Sequence, residues 1–503
     1  MLLKKYFGGK ADGSSTSFNF TIGLISVGGH KMKKHICLIC ALFVFLFTAC
    51  ACGEGAEIGP SYNSEVSGSA DYTEDTEHLT GDSTALTRDT GGGSGTSSSG
   101  KTGDTKSEGT AAKTDATTTP PTKKPGTTTS QNNGGVIQMD YAVLRSGMLN
   151  TIYKLKNNKK LTVGYIGGSV TSGYGASNEN NSWRVETEKW LKNAFPGAQI
   201  TAVNASIGGT GSELAMYRLE HDLLKHNPDL VFIEFAVNDA YINYTSEQIM
   251  VQIETICRKI NNKNPYTDII MVYVNDSGRS SDNTIPAYET IADLYKTNSV
   301  NVYSAVLDAM DAENRPFSYY FMDHVHPNDM GYKVYADTII GVLQETLKGS
   351  SSGLTAKKLP NPRTNVKMNA TLYRPDQTPL NSNNGWENRD QFPWLGSTYG
   401  GSLTSNKDGS VFTIKLKGTD FGILYEIGPN AGSIRYSVDG GAEKTLDGNY
   451  SYSTPTNAIL FRGLKDEVHT ITITFKALSA GKEFNIGAFW LRVPFCNRIF
   501  YKG

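Results

Sequence analysis

The sequence has little of what announces a metal or a cofactor. Cysteine is scarce, with 6 in 503 residues. Cys37, Cys40, Cys50 and Cys52 crowd one end, and only Cys257 and Cys496 follow, so neither a disulfide framework nor a zinc spacing can be read from them. Cys257 falls in a predicted helix and reads as a free, buried thiol. A formal net charge of −1 gives no electrostatic reason to expect nucleic acid or an anionic membrane surface as partner. The apolar run Ile36 to Phe47 is too short to span a bilayer comfortably. No Walker lysine follows Gly167-Gly168-Ser169-Val170-Thr171, which is not a dinucleotide fingerprint either. What remains is a chain too long for one ordinary core.

The N-terminal region has the layout of an export signal. Met32-Lys33-Lys34-His35 is basic, the apolar run follows, and Thr48-Ala49-Cys50 supplies small residues at a cut. Residues 1–31 lack this layout, which points to Met32 as the true start. Leu46-Phe47-Thr48-Ala49-Cys50 resembles the lipobox of bacterial lipoproteins, in which the cysteine becomes lipidated and N-terminal; Cys52 is the weaker alternative. The expectation is an exported protein, either a cell-surface lipoprotein that meets the membrane only through a lipid on Cys50 or a secreted, extracellular one. Residues 1–52 are read as extension and signal. Residues 53–135, rich in Ser, Thr and Gly, are read as a disordered linker, because so few large apolar groups cannot offset the entropy of ordering the chain.

From Leu161 the pattern becomes regular. Short apolar runs at Leu161–Ile166, Gln199–Asn204, Leu230–Phe235, Ile269–Val274 and Asn301–Tyr303 alternate with helical stretches at 182–194, 211–226, 246–261, 285–298 and 330–348. Continuous apolar strands separated by helices predict a parallel sheet with right-handed crossovers. Residues 140–350 are therefore read as a three-layer α/β domain. Thr245 with Gln248 predicts a capping box.

Four motifs fall beyond the strand ends, where such a sheet binds ligands. They are Gly167-Gly168-Ser169, Asn204-Ala205-Ser206-Ile207-Gly208-Gly209, Val237-Asn238-Asp239 and Asp323-His324-Val325-His326-Pro327. Taken singly, each suits a turn, a cap or a phosphate cradle. In this order they hold the parts of an acyl-transfer site. Ser169 is the candidate nucleophile, His326 its base, and Asp323 the carboxylate that orients the imidazole. The Ser169 and Gly209 N–H groups and the Asn238 amide are candidate oxyanion donors, with Gly208 the alternative to Gly209. His324 and Asp239 are possible substrate contacts, and Asp239 and Glu213 possible pocket lining. Arg218 is expected to pair with a carboxylate on its own helix, with contact to substrate as the alternative.

This constellation closely resembles the SGNH (GDSL-like) hydrolase superfamily over about 160–350. Val203 to Gly209 and Asp323 to Asn328 are very similar to that family's second and fifth blocks. The first block departs from it, with Gly168 where the family often has aspartate, and Gly-Gly-Ser looks more like polysaccharide-deacetylating members than lipases. The resemblance implies a flavodoxin-like order of five parallel strands and a hydrolase that needs no metal or other cofactor.

Beyond a short linker the pattern changes to alternating strands at Val411–Lys417, Phe421–Ile427, Ser433–Val438, His469–Phe475 and Ile486–Val493, with a hairpin turn at Asp439-Gly440. Residues 360–494 are read as an antiparallel β-sandwich or jelly roll that binds carbohydrate or walls the site. Trp386 and Trp394, in loop sequence, are the candidate sugar contacts; Trp490 is read as core. The function expected is removal of short acyl groups, acetyl first, from a polysaccharide or oligosaccharide. The alternatives are a broader lipase, arylesterase or thioesterase, or a non-catalytic glycan-binding surface protein.

Overall fold

The computed structural model describes residues 130–133, 136–278, 283–396, 398–477, 479–493 and 500–501. The signal segment, Met32, Cys50 and all but the last few residues of the expected linker lie outside the described residues.

The α/β part is built on one eight-stranded sheet. Its strands are β1 (Ser130–Asn133), β2 (Val136–Met139), β3 (Ala142–Leu144), β4 (Lys160–Gly167), β5 (Gln199–Asn204), β6 (Leu230–Glu234), β7 (Asp268–Tyr273) and β8 (Asn298–Asn301), in the spatial order β1-β2-β3-β8-β7-β6-β4-β5. The run from β8 to β5 is parallel, and its first strand in sequence lies between the second and the third, the flavodoxin-like order. The three short strands before it add an antiparallel edge beyond β8. The sequence gives little sign of that edge, because these strands are short and β1 reads Ser-Gln-Asn-Asn.

Strands β6 and β7 are buried throughout, as the apolar runs Leu230–Ile233 and Ile269–Tyr273 within them require. Alternate residues serve different layers. Leu161, Val163, Tyr165, Phe232 and Ile270 pack with helices 183–194 and 329–346. Ile166, Val231, Ile233 and Met271 pack with helices 212–222, 246–263 and 284–295. Thr245 and Gln248 form the reciprocal capping box that starts helix 246–263, and Cys257 on that helix is free and buried.

One strand is displaced from its expected place. The fifth parallel strand is Asn298–Asn301, and Val302 already begins a helix that runs to Glu313. Asn301 ends the strand because its side chain accepts from the Ser304 N–H and caps that helix.

The C-terminal part is two antiparallel sheets. One has the order β10 (Ser382–Asn384), β13 (Val411–Lys417), β18 (Val468–Lys476), β15 (Ser433–Val438), β16 (Lys444–Asp447). The other has β11 (Glu387–Arg389), β12 (Ser402–Ser405), β19 (Phe484–Arg492), β14 (Asp420–Ile427), β17 (Thr454–Phe461), with β9 (Ala370–Tyr373) also paired to β19. Asp439 and Gly440 take φ of 53° and 71° in the turn after β15, as a primed hairpin turn requires. Phe412, Ile414, Ile423, Ile471, Ile473 and Phe489 fill the space between the sheets.

The middle of the second sheet, β12, β19 and most of β14, is buried on both faces. Leu372, Leu424, Ala488 and Trp490 point away from the sandwich interior and join the core that contains helix 212–222. Trp490 is fully buried, with its ring 4.3 Å from that of Tyr217. Its place is thus the seam between the two parts, not the sandwich interior.

Candidate active site

Four loops bring the motif residues to one edge of the sheet. Strand β4 ends at Gly167, and Ser169 opens a single helical turn, Ser169–Ser172. The loop after β5 hangs from this strand: the Ile207 N–H donates to the Gly167 carbonyl at 3.0 Å. Gly208 lies against Ser169, so that a side chain there would begin 3.5 Å from the Ser169 Cβ. Gly209 has φ of 72°, a conformation glycine adopts without steric cost. Helix 236–242 follows β6 and carries Asn238, whose Oδ1 is buried against Gly168.

The fourth loop supplies the base. Its ends are closed by the Phe321–Pro327 bridge and by the Met322 N–H donating to the His326 carbonyl at 2.9 Å. Asn328 then caps helix 329–346. Tyr332 on that helix donates to the Tyr174 carbonyl at 2.7 Å, which ties the base loop to the segment after Ser169. The exposed Tyr174 ring stands edge-on to His326 at 4.7 Å.

The Ser169 Oγ lies 2.8 Å from the His326 Nε2. The His326 Nδ1 lies 2.8 Å from the Asp323 Oδ2. The other carboxylate oxygen accepts the Val325 and His326 N–H groups at 2.8 and 2.7 Å. Burial by itself would raise the Asp323 pKa. The hydrogen bonds from the His326 ring and from these two N–H groups outweigh it and hold the carboxyl well below its ordinary range. An ionised Asp323 therefore fixes the Nδ1–H tautomer and leaves the Nε2 lone pair facing the serine hydroxyl.

The remaining candidates are distributed differently. His324 is exposed beside the base. Asp239 is fully buried and does not line a pocket: its carboxylate accepts from the Ser212 N–H and hydroxyl and from the Tyr288 hydroxyl, all within 2.8 Å. It thereby ties the Asn238 helix to the start of helix 212–222, and burial pushes its pKa up to about 6. Glu213 is buried and bound by Arg462 and Tyr244, and it lines a cavity with Tyr217, Gln252, Lys367 and Asp420. Trp386 is only 3% exposed, packed against Phe412 and Phe475 in the sandwich core, which removes it as a sugar contact. Trp394 is 68% exposed. It stands near the carboxyl of Glu426, which is paired with Pro455 across β14 and β17. The Pro455 carbonyl is in turn the nearest group to where a Gly209 Cβ would stand, at 4.0 Å. The C-terminal part therefore reaches the rim of the catalytic loops.

Glu234 was not singled out in the sequence. It ends β6 directly behind the serine loop, fully buried, and its Oε2 accepts from the Gly168 N–H at 3.3 Å and the Thr171 hydroxyl at 2.8 Å. Burial pushes its pKa up to about 7. The signal was a carboxylate in the run Leu230-Val-Phe-Ile-Glu-Phe235, where nothing else is polar. Among the described residues no three His, Cys, Asp or Glu side chains gather as a metal site.

Residues 165–334 match the family model described as GDSL-like Lipase/Acylhydrolase family. The comparison with curated proteins gave no match. Among solved structures, a two-domain esterase active on acetylated mannans, co-crystallised with mannopentaose, aligns over 68% of this chain and 94% of its own, at 23% identity and a TM-score of 0.60. A second crystal structure of a two-domain esterase active on acetylated mannans aligns at 23% identity over the same shares, with a TM-score of 0.61. An acetyl xylan esterase aligns at 20% identity over 36% of this chain and 100% of its own, with a TM-score of 0.32.

Proposed function

We propose, from the match of residues 165–334 to the GDSL-like Lipase/Acylhydrolase family model, that this protein is an ester hydrolase that removes short acyl groups, acetyl foremost, from a polysaccharide or oligosaccharide. The observation that carries the reading is the unbroken chain Ser169–His326–Asp323, with both links at 2.8 Å. Ser169 Oγ attacks the ester carbonyl as its proton passes to the His326 Nε2. The negative charge that develops on the carbonyl oxygen is met by the Ser169 and Gly209 N–H groups and by the Asn238 amide. The Asn238 amide is packed against Gly168, and its Nδ2 is the group that would donate. Collapse of the intermediate expels the sugar alkoxide, which takes the proton from His326. Water then attacks the acyl-serine, gives its proton to the same imidazole, and releases the carboxylic acid as Ser169 recovers its hydrogen.

The choice of a sugar acetyl ester is supported by the two-domain likeness and by the Gly-Gly-Ser form of the nucleophile loop. Trp394 at the rim is the proposed sugar contact, its face matched to the apolar face of a pyranose. The exported, lipid-anchored state is part of the same proposal. It rests on the signal layout and on Cys50, and loss of lipid-label incorporation in Cys50→Ala tests it.

The substrate test is acetate release by the full chain from acetylated mannan and acetylated xylan, beside a p-nitrophenyl acyl series. Release from a glycan, abolished in Ser169→Ala, is the expected result. Preference for long acyl chains without glycan release would move the assignment to a lipase. Glycan binding without release from any ester would make this a binding protein.

A further inference from the structure

The side chain of Arg218 has no exposure at all, so no substrate touches it. It nevertheless meets the roots of three of the four loops assigned above, all but the base loop. Its Nη1 donates to the Ala205 carbonyl at 2.5 Å, just before Gly208 and Gly209. Its Nη2 donates to the Gly167 carbonyl at 3.4 Å, two residues before Ser169. The guanidinium also stands 6.0 Å from the ring of Phe235, three residues before Asn238.

A buried guanidinium needs a counter-charge, and Asp222 supplies it, one helical turn on, at 2.7 Å. The same Asp222 oxygen accepts the Tyr399 hydroxyl at 2.7 Å, and Tyr399 belongs to the C-terminal part. His221 holds the other oxygen at 2.8 Å. The planar fork of an arginine is rigid, so fixing its head fixes the distance between the two carbonyls it binds.

We infer that Arg218 is a positioning residue, which sets the nucleophile loop against the oxyanion loop, and that the C-terminal part contributes to catalysis by holding Asp222 through Tyr399. The inference rests on the roles given to Ser169, Gly209 and Asn238. It explains why a cation lies in the dry layer beneath the loops, where an apolar side chain would pack without any desolvation cost. A shift of about 1 Å between nucleophile and oxyanion donors is enough to cost about a hundredfold in rate.

The test uses the full chain with p-nitrophenyl acetate, a substrate too small to need the sugar contacts. Arg218→Met is expected to lower kcat by about a hundredfold while KM changes by less than about threefold. Phosphonylation of Ser169 by an organophosphonate should slow by a similar factor, since it uses the same nucleophile and oxyanion donors. Tyr399→Phe should lower kcat by about threefold and have no further effect in the Arg218→Met background. A folded Arg218→Met, shown by a cooperative melt, with kcat within about twofold of the parent overturns the inference. Should that variant not fold, Arg218→Lys decides: it keeps the charge but loses the fork, and is expected to lose kcat by about tenfold at little-changed KM, whereas retained kcat overturns the inference. In Ser169→Ala, retained activity would defeat the site assignment itself, independently of Arg218.

Discussion

Gly168 and Asn238 are packed so closely that a Cβ on the glycine would stand 2.2 Å from the amide oxygen of the asparagine. The residue next to the nucleophile and the proposed oxyanion donor cannot both keep their places if either grows. Aspartate, common in the related motif at this position, does not fit the present arrangement.

Gly168→Ala is therefore expected to push the Asn238 amide away. Loss of one oxyanion donor costs about 3 kcal/mol, so kcat should fall by about 100-fold or more. Steady-state kinetics on p-nitrophenyl acetate checks this. A variant with full kcat would mean that Asn238 is not used as a donor.

Asp323→Asn keeps the shape of the triad but removes the charge that fixes the His326 tautomer. A fall in kcat of about 10⁴-fold is expected. Because the wild-type carboxyl is held well below its ordinary range, this residue stays charged through mildly acid conditions. A pH–rate profile of the wild type between pH 4 and 9 should contain no inflection that disappears in Asp323→Asn alone.

Glu234 gives a stability prediction with a defined sign. Its pKa rises from 4.5 to about 7 on folding, so between these values the native state keeps a proton that the unfolded chain has released. Stability from this group thus falls as pH rises through that window, and the loss is complete above it. Glu234→Gln removes the effect. Relative to the parent, it should gain up to about 3 kcal/mol between pH 4.5 and pH 8. Urea unfolding at the two pH values measures the change; an equal difference at both would show that Glu234 is not protonated in the native state at the lower pH.

Trp394→Ala separates the sugar contact from the chemistry. Turnover of p-nitrophenyl acetate should stay within about twofold of the parent, while kcat/KM on an acetylated glycan falls by about tenfold, the order expected for one lost aromatic stacking contact. Equal effects on both substrates would place Trp394 outside the sugar path.

The sheet and the order of its strands were legible because apolar runs and helical stretches alternate without ambiguity. The four motifs were legible because each follows a strand or precedes a helix. Other features were hidden by distance in sequence. Tyr399 and Asp222 are separated by 177 positions, and no local pattern links them. Trp386 sits among polar loop residues, yet it turns inward to Phe412 and Phe475, contacts that appear only when the two sheets close. At Asn301 a polar side chain that ends a strand by capping the next helix looked like the strand's beginning.

The C-terminal sheet whose middle strands are buried on both faces has a consequence for how such a protein can descend. A recombination that carried residues 140–350 alone into another gene would leave Tyr217 without the Trp490 ring and Asp222 without the Tyr399 hydroxyl. Separated from its partner, the catalytic half of this chain would expose the face that Leu372, Leu424, Ala488 and Trp490 now cover. In this chain a change in one half is answerable to the other.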